Sequence, residues 1–375
     1  MSVAGAVDGS AAAAGPSAGA VGTPDEVGVP SSVGYRLRVH EVVTETHDSR
    51  SVVLDVPPEL APRFRYAPGQ FLTLRVPGGA DGTASARCYS LASAPEVDER
   101  LTVTVKRVTG GSVSNWICDN LEQGHEVEVL PPAGRFTPRS LDRDLLLLAG
   151  GSGITPVMSI ARSVLERGQG RVTLLYANRD ERSVIFADRL RELSARFADR
   201  LTVVHLLQSV EGLPTVERLR GLCAPHVEKD GAFICGPAAF MDTAAQALTG
   251  AGMAREKIVV ERFVSLASDP FAPPAEPAAG EETGPSTALT VTLDGVRQTM
   301  AWPRGTPLLD LLLAAGLEAP FSCREGACSA CACRVESGEV SMTRNDVLEK
   351  EDLDEGWVLG CQAYPVTDEV EVSYD

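Results

Sequence analysis

Positive charge is what this sequence has least of. Its 375 residues carry 34 Lys and Arg against 51 Asp and Glu, a formal net charge of −17. Nucleic acid demands a basic surface, so nucleic-acid binding is excluded. Long apolar runs are missing too. The best stretch, Leu308–Leu317, is interrupted by Asp310 and falls far short of the roughly 18 residues a membrane span requires. No Lys or Arg precedes Arg36, which argues against a signal peptide with its positive start and a transit peptide with its arginines. A cytoplasmic location is the expectation. Histidine is scarce as well, five in all and none in Thr287–Asp375.

What remains is a soluble globular composition, 44% hydrophobic and 23% charged. The length predicts two or three domains. No heptad or exposed apolar face is legible, so a monomer is expected. The nine cysteines are unevenly placed: Cys323, Cys328, Cys331, Cys333 and Cys361 crowd the C-terminal stretch, while Cys88, Cys118, Cys223 and Cys235 are scattered. Without a secretion signal, clustered thiols point to a metal or cluster site in a reducing compartment rather than to disulfides.

Residues 1–34 are rich in Ala, Gly, Ser and Pro and are expected to form a disordered leader. Residues 35–140 alternate in the strand manner (YRLRVHEVV, QFLTLRV, RLTVTVKRV) between PG, GG and DG turns, with one short helix at Ser114–Leu121. That pattern predicts an antiparallel β-barrel. Residues 141–266 switch to strands alternating with helices, beginning with the apolar run DLLLLAG. A doubly wound α/β domain with a parallel sheet is predicted there. Residues 267–286, rich in Pro, Ala and Glu, read as a linker. Residues 287–375 read as an α+β unit, with a strand pair turning at Asp294-Gly295, the helix LLDLLLAAG, the cysteine loop and two final strands.

In that last unit the spacing is Cys323-x4-Cys328-x2-Cys331, with Cys361 after 29 more residues. It matches the plant-type [2Fe–2S] pattern, in which two irons bridged by sulfide need four convergent thiolates. Glycines and small residues in SCREGACSACAC let backbone N–H groups approach the sulfurs. The alternative is structural zinc, which favours paired C-x2-C knuckles, often with histidine; here the first gap is x4 and histidine is absent. Cys333 lies too close behind Cys331 in the strand register and is expected to pack rather than ligate.

After DLLLLAG comes Gly150-Gly151-Ser152-Gly153-Ile154-Thr155-Pro156 at a helix start. Such glycines allow a sharp turn and close backbone approach to a pyrophosphate at the helix N-terminus. Thr155 is expected to cap and Pro156 to occupy the first helical position. Pro156 also stands where the third glycine of G-x-G-x-x-G would be, so a purely structural glycine turn is the competing account. Beyond the next strand, Arg179 would favour a 2′-phosphate and Asp180 a free ribose. Cys235-Gly236-Pro237 ends a later strand, where a thiol can lie beside a nicotinamide or simply fill space.

Arg87-Cys88-Tyr89-Ser90 has the form R-x-Y-S. Strand alternation puts Arg87 and Tyr89 on one face, a guanidinium for a pyrophosphate and a ring for a flat heterocycle. Ser90 would hydrogen-bond the edge of that heterocycle. Gly110-Gly111-Ser112-Val113-Ser114-Asn115 precedes the short helix as a second anion cradle.

In this order the motifs R-x-Y-S, G-G-x-x-S-N, G-G-S-G-I-T-P and C-G-P resemble the ferredoxin–NADP reductase superfamily. With the plant-type cysteine pattern at the C-terminus, residues 35–375 resemble the reductase components of multicomponent oxygenases. ERFVSLASDPF at Glu261–Phe271 and PFSCREGACSACAC at Pro320–Cys333 are similar to the 3-ketosteroid 9α-hydroxylase reductases, and the phenylacetyl-CoA epoxidase reductases are a second related group. The resemblance implies FAD held by Arg87, Tyr89, Ser90, Gly110, Gly111 and Ser114, and a nicotinamide nucleotide along Gly151, Gly153, Thr155, Arg179, Cys235, Gly236 and Pro237. It places Phe263 near the flavin, so that Ser90, Cys235 and Phe263 would surround the hydride-transfer site. It also implies a β-grasp-like ferredoxin domain with ligands Cys323, Cys328, Cys331 and Cys361.

A nicotinamide yields two electrons as one hydride, and a [2Fe–2S] cluster takes them singly; a flavin does both. The expected activity is therefore electron transfer from NADH or NADPH, with NADH favoured, through FAD and the cluster to a terminal oxygenase, Rieske-type and acting on a steroid or aromatic. A phenylacetyl-CoA-type epoxidase, a membrane desaturase or a cytochrome P450 is the alternative acceptor, and a non-catalytic redox sensor the remote one. Residues 287–375 hold 16 acidic and 6 basic residues, with an acidic run at Glu349–Glu355, which suits steering toward a basic patch on the acceptor.

Overall fold

The computed structural model describes residues 34–77, 84–263, 265–266, 268–272 and 286–375. The expected leader, apart from Gly34, and most of the expected linker lie outside them.

Strands β1 (Tyr35–Thr46), β2 (Ser49–Asp55), β3 (Phe71–Pro77), β4 (Ala84–Ser90), β5 (Leu101–Lys106) and β6 (Glu126–Val129) form an antiparallel sheet in the order β4-β3-β6-β1-β2-β5. Leu91, just past β4, bridges Val103 of β5 and joins the two edges into a barrel. Period-two alternation fills the interior: Leu37 and Val39, Val52 and Leu54, and Val103 and Val105 are fully buried. Helix α1 (Ser112–Asn120) adds Val113 and Ile117 to that core. It starts two residues earlier than the sequence suggests, because Gly110, at φ 72°, already turns the chain toward it.

The next five strands, β7 (Leu145–Gly150), β8 (Val172–Asn178), β9 (Leu201–Leu207), β10 (Gly231–Cys235) and β11 (Ile258–Glu261), pair in parallel in the order β11-β10-β7-β8-β9. All six residues of β7 are buried, as expected of a central strand covered on both faces. Leu145, Leu147 and Ala149 point to one core, shared with α2 (Ile154–Arg167) and α3 (Ala187–Arg196). Leu146 and Leu148 point to the other, where the short α4 (Gln208–Glu211) leads into α5 (Val216–Cys223), and α5 packs with α6 (Ala238–Ala251). Arg162 of α2 fastens this sheet to the barrel through Asp98 (Nη2 to Oδ1, 2.9 Å), and Ser159 donates to the Ser93 carbonyl at 2.6 Å.

The C-terminal unit contains β12 (Ser286–Leu293), β13 (Val296–Pro303), α7 (Leu308–Ala314), β14 (Ala332–Ser337), β15 (Val340–Met342), α8 (Lys350–Asp354), β16 (Trp357–Leu359), β17 (Ala363–Pro365) and β18 (Glu369–Ser373). Its main sheet runs β13-β12-β18-β14-β16, and β15 pairs with β17. Strands β12 and β18 are parallel. Asp294 and Gly295 both adopt positive φ, 51° and 72°, the geometry of a tight hairpin turn. Trp302 is fully buried beside Leu308, Leu309 and Leu312 of α7, and its indole N–H donates to the Thr306 carbonyl at 2.7 Å. Strand β12 starts at Ser286, the last residue of the expected linker. The acidic run is partly engaged on the surface: Glu349 and Asp352 form a capping box on α8, and Glu349 also pairs with Arg255 at 2.6 Å.

Since β7 holds the parallel sheet together, Leu147→Ala should cost about 2–5 kcal/mol. The measurement is the urea midpoint, with Val210→Ala, at an exposed site, expected to leave it unchanged.

Candidate functional site

The cysteine loop lies between α7 and β14. Arg324, Gly326 and Ser329 all take positive φ, 57°, 76° and 53°, and these bends turn amide N–H groups toward sulfur. Cys323 N–H donates to Cys328 Sγ at 3.3 Å, and the Glu325 and Ala327 N–H groups both donate to Cys323 Sγ at 3.3 Å. A Cβ at Gly326 would come within 2.8 Å of the Arg344 carbonyl, so the tight bend needs glycine. Cys361, just past β16, donates its N–H to Cys331 Sγ at 3.5 Å, and Gln362 Nε2 approaches Cys361 Sγ at 3.6 Å.

The four thiols form a chain of contacts, Cys328 to Cys323 to Cys361 to Cys331. Contacts from Cys328 and Cys361 pull the Cys323 thiol down, while Cys323 pushes Cys328 up, and Cys323 and Cys331 push Cys361 up. Among the described residues no three acidic, His or Cys side chains surround a single-ion position; the thiols are linked in pairs, Cys323 with Cys328 and with Cys361, and Cys331 with Cys361. Four thiols wrapped in amide donors fit a two-iron cluster, whose anionic charge the N–H dipoles stabilise. Cys333 stands apart, fully buried beside Tyr374, with burial pushing its thiol up.

Two strand-to-helix turns meet in the parallel sheet. Gly151 has φ 53° and starts a 3-10 turn, Gly151–Gly153, that runs directly into α2. A Cβ on Gly153 would lie 2.1 Å from the Cys235 carbonyl oxygen, and one on Gly150 would lie 2.9 Å from Pro237 Cδ. Gly153 and Gly236 thus permit backbone to pack on backbone, leaving N–H groups of a helix start facing outward. Thr155 does not cap α2: its hydroxyl donates to the Ser152 carbonyl at 3.0 Å, and the helix already begins at Ile154. Pro156 is consequently the third helical residue rather than the first. It is tolerated because first-turn amides have no intrahelical acceptor to lose.

On the barrel, Cys88 and Ser90 line a cavity together with Phe71, Glu261, Phe263 and Cys328. Tyr89, one residue out of phase, packs on the barrel core instead. Phe263 is 46% exposed, an aromatic face open to a planar ring. Arg87 donates to the carbonyls of Ala86 (2.6 Å) and Leu266 (3.4 Å). Gly110 has nothing within 4 Å of a built Cβ, whereas Gly111 is held close against Ser114 Oγ and Val108. Ser114 Oγ accepts the Val108 N–H at 3.2 Å, so it braces the cradle before α1. An open glycine turn at a helix start, beside a strand carrying Arg, Tyr and Ser, fits a dinucleotide-bearing flavin. The structure therefore brings Ser90, Phe263 and Cys328 to one cavity, sets Cys235 behind it in register with Glu261, and leaves Arg87, Tyr89 and the Gly110–Ser114 cradle off its lining.

Three residues that matter here carry no role in the sequence patterns. Glu261 opens the ERFVSLASDPF segment. It ends β11 on the cavity wall, and burial pushes its carboxyl up to about 8. An acid closing the otherwise apolar strand IVVE is the available signal. Asp48, in the β1–β2 turn, binds Arg179 Nη2 at 2.7 Å and lies 3.8 Å from Lys106 Nζ. Lys106 in turn lies 3.9 Å from a built Cβ on Gly151. No local pattern marks Asp48 or Lys106, because the cluster spans the barrel and the parallel sheet.

Three family models match the chain: an oxidoreductase FAD-binding domain over residues 36–137, an oxidoreductase NAD-binding domain over 147–246, and a 2Fe-2S iron-sulfur cluster binding domain over 291–366. The chain is 57% identical to the ferredoxin reductase component of 3-ketosteroid-9-alpha-monooxygenase of Mycolicibacterium smegmatis, covering 90% of this chain and 96% of that one. It is 33% identical to a component of the 1,2-phenylacetyl-CoA epoxidase of Escherichia coli, covering 91% and 98%. Among solved structures, phthalate dioxygenase reductase shares the fold (TM-score 0.53, 24% identity, 91% of this chain and 98% of that one). Full-length CYP116B46 of Tepidiphilus thermophilus matches with TM-score 0.62 and 26% identity over 94% of this chain and 44% of that one.

Cys361→Ala should abolish the visible cluster absorbance while flavin absorbance persists, and Cys333→Ala should keep both at some loss of stability. Absorbance and iron content of the purified variants decide. Glu261 gives a pH expectation. Its folded value, about 8, lies above the ordinary 4.5, so between those values the folded state holds a proton that the unfolded chain has released. Stability must therefore fall as pH rises through that window. Thermal denaturation of the cofactor-free protein should show this slope, and Glu261→Gln should flatten it.

Proposed function

The chain belongs to the family of FAD- and NAD-binding reductases with a [2Fe–2S] domain that serve oxygenases, and we propose that its acceptor is a Rieske-type oxygenase acting on a 3-ketosteroid. It is an NAD(P)H-dependent oxidoreductase, passing electrons through FAD and the cluster to a terminal oxygenase. The 57% identity over nearly the full length of a 3-ketosteroid-9-alpha-monooxygenase reductase component supports the steroid reading.

The observation that carries the internal route is the shared cavity. Ser90 of the barrel, Glu261 at the end of β11, Phe263 just past it, and Cys328 of the cysteine loop all line it. Residues 35–140 hold FAD, residues 141–266 hold the nicotinamide nucleotide, and residues 287–375 hold the cluster, with 267–286 between. When bound, FAD supplies the change from hydride to single electrons. Arg87 and the Gly110–Ser114 cradle would hold its pyrophosphate, Phe263 would orient its ring, Ser90 would hydrogen-bond the ring edge, and Tyr89 would brace their strand from the barrel core. Gly151, Gly153, Thr155, Gly236 and Pro237 shape the turn that would hold the nicotinamide nucleotide, with Cys235 packed against Gly153. Glu261 holds a proton at its carboxyl near neutral pH. Cys323, Cys328, Cys331 and Cys361 hold the irons.

NADH is the favoured donor. Arg179, the residue placed to read a 2′-phosphate, has its guanidinium engaged by Asp48, which Lys106 also approaches. Among the described residues no helix is long and apolar enough to cross a membrane. Nine thiols outside any disulfide support a reducing cytoplasm.

Stopped-flow mixing should bleach the flavin and then the cluster, faster with NADH than with NADPH. With a steroid Rieske oxygenase, 3-ketosteroid hydroxylation should depend on this chain. Its rate should fall as salt rises while flavin reduction does not. Activity only with a phenylacetyl-CoA epoxidase would reassign the acceptor.

A further inference from the structure

The cysteine loop touches the barrel through three small polar side chains that bind neither cofactor in the route proposed for the electrons. Thr73 of β3 and Cys88 of β4 face each other across the strand pair. Ser322, the residue before Cys323, inserts its hydroxyl between them. Ser322 Oγ lies 2.6 Å from Thr73 Oγ1 and 3.5 Å from Cys88 Sγ, and Thr73 Oγ1 lies 3.5 Å from Cys88 Sγ. Both hydroxyl residues are only 1% exposed. Around them Cys88 and Cys328 pack with Phe71, Ala133 and Ala330.

We infer that Thr73, through Ser322, is a positioning residue that fixes the cluster loop against the flavin-binding strand pair and so sets the distance over which the cluster is reduced. The x of R-x-Y-S thereby gains a role: strand alternation sends Tyr89 to the barrel core and Cys88 to the cluster loop. The charged pairs between the C-terminal unit and the rest are rim-exposed, such as Arg255 with Glu349 (66% and 59% exposed side chains), and contribute little in water, while Cys323 and Ala327 pack on Leu130, Leu266 and Phe271 through apolar contacts that carry no direction of their own. A buried hydroxyl pair is different, because removing one partner strands the other without water. Electron tunnelling weakens steeply with separation, so a contact one residue from an iron ligand acts on rate without touching the reacting atoms. The transfer concerned is one electron from reduced FAD to the oxidised cluster, one iron going from ferric to ferrous, with NADH as the source.

This inference rests on the proposed route from FAD to cluster, which wild-type protein tests alone: if NADH bleaches the flavin but never the cluster, the route itself fails. The inference is tested on the holoprotein with Thr73→Val, Thr73→Ser and Ser322→Ala. Thr73→Val should leave flavin reduction by NADH unchanged and slow cluster reduction. It should also raise alkylation of Cys88 by N-ethylmaleimide about tenfold, read by peptide mass spectrometry, as expected when a buried hydrogen bond closing a contact is lost. Thr73→Ser, which keeps the hydroxyl, should restore both. If Thr73→Val fails to load its cofactors, Ser322→Ala decides on the same two readouts. Wild-type cluster reduction and Cys88 protection in the variant would overturn the inference, as would equal slowing of flavin and cluster reduction, or failure of Thr73→Ser to rescue.

Discussion

A single cavity walled by three distant stretches of chain is the constraint to which the rest of the molecule answers. A hydride donor, a flavin and a one-electron acceptor have to meet, yet each needs a different kind of backbone. Pyrophosphates need outward-facing amides at helix starts, which a parallel sheet supplies at the carboxyl ends of its strands. A flat heterocycle needs a rigid wall of alternating side chains, which β4 supplies. Irons need a loop bent so tightly that amides point at sulfur, which Arg324, Gly326 and Ser329 supply through positive φ. No single sheet offers all three, and the end of β4, the end of β11 and the cysteine loop meet at the cavity lined by Ser90, Glu261, Phe263 and Cys328.

The parts that act through local geometry are legible in the sequence. A cysteine loop is short, and its ligand spacing is fixed by the cluster it must wrap. The apolar run of β7 could only be a strand covered on both faces, and Asp294-Gly295 could only be a tight turn. Even the departure at α2 is local. The sequence suggests a Thr155 cap, but Gly151 lets a 3-10 turn run on into the helix without a break, which turns the threonine hydroxyl back to Ser152.

What stays hidden acts across units. Arg179 meets a carboxylate 131 residues away, and Thr73 meets Ser322 across 249. Such contacts arise from how finished domains settle on one another, and neither periodicity nor spacing encodes that. Glu261 lies between the two cases. Its place at the end of an apolar strand is visible, but its elevated carboxyl comes from burial on a wall that only the assembled molecule creates.

Charge shows the same division between local and assembled effects. Every basic residue of the C-terminal unit has an acidic partner within that unit: Arg297 with Glu371, Arg304 with Asp368, Arg324 with Asp310, Arg334 with Glu336, Arg344 with Asp346 and Lys350 with Asp354. Two arginines from elsewhere, Arg63 and Arg255, take up Glu318 and Glu349. These pairings remove the basic patches while leaving acids in excess, so the unit carries a field of one sign over its outer surface. A field of one sign acts beyond contact range and is screened by ions, so it bears on the rate at which an acceptor arrives rather than on the strength with which it is held. The cavity, by contrast, is lined mostly by small and aromatic side chains, and its carboxyl, Glu261, keeps a proton through burial rather than through a field that ions screen. Delivery of electrons and their intake thus answer to different physics within one chain.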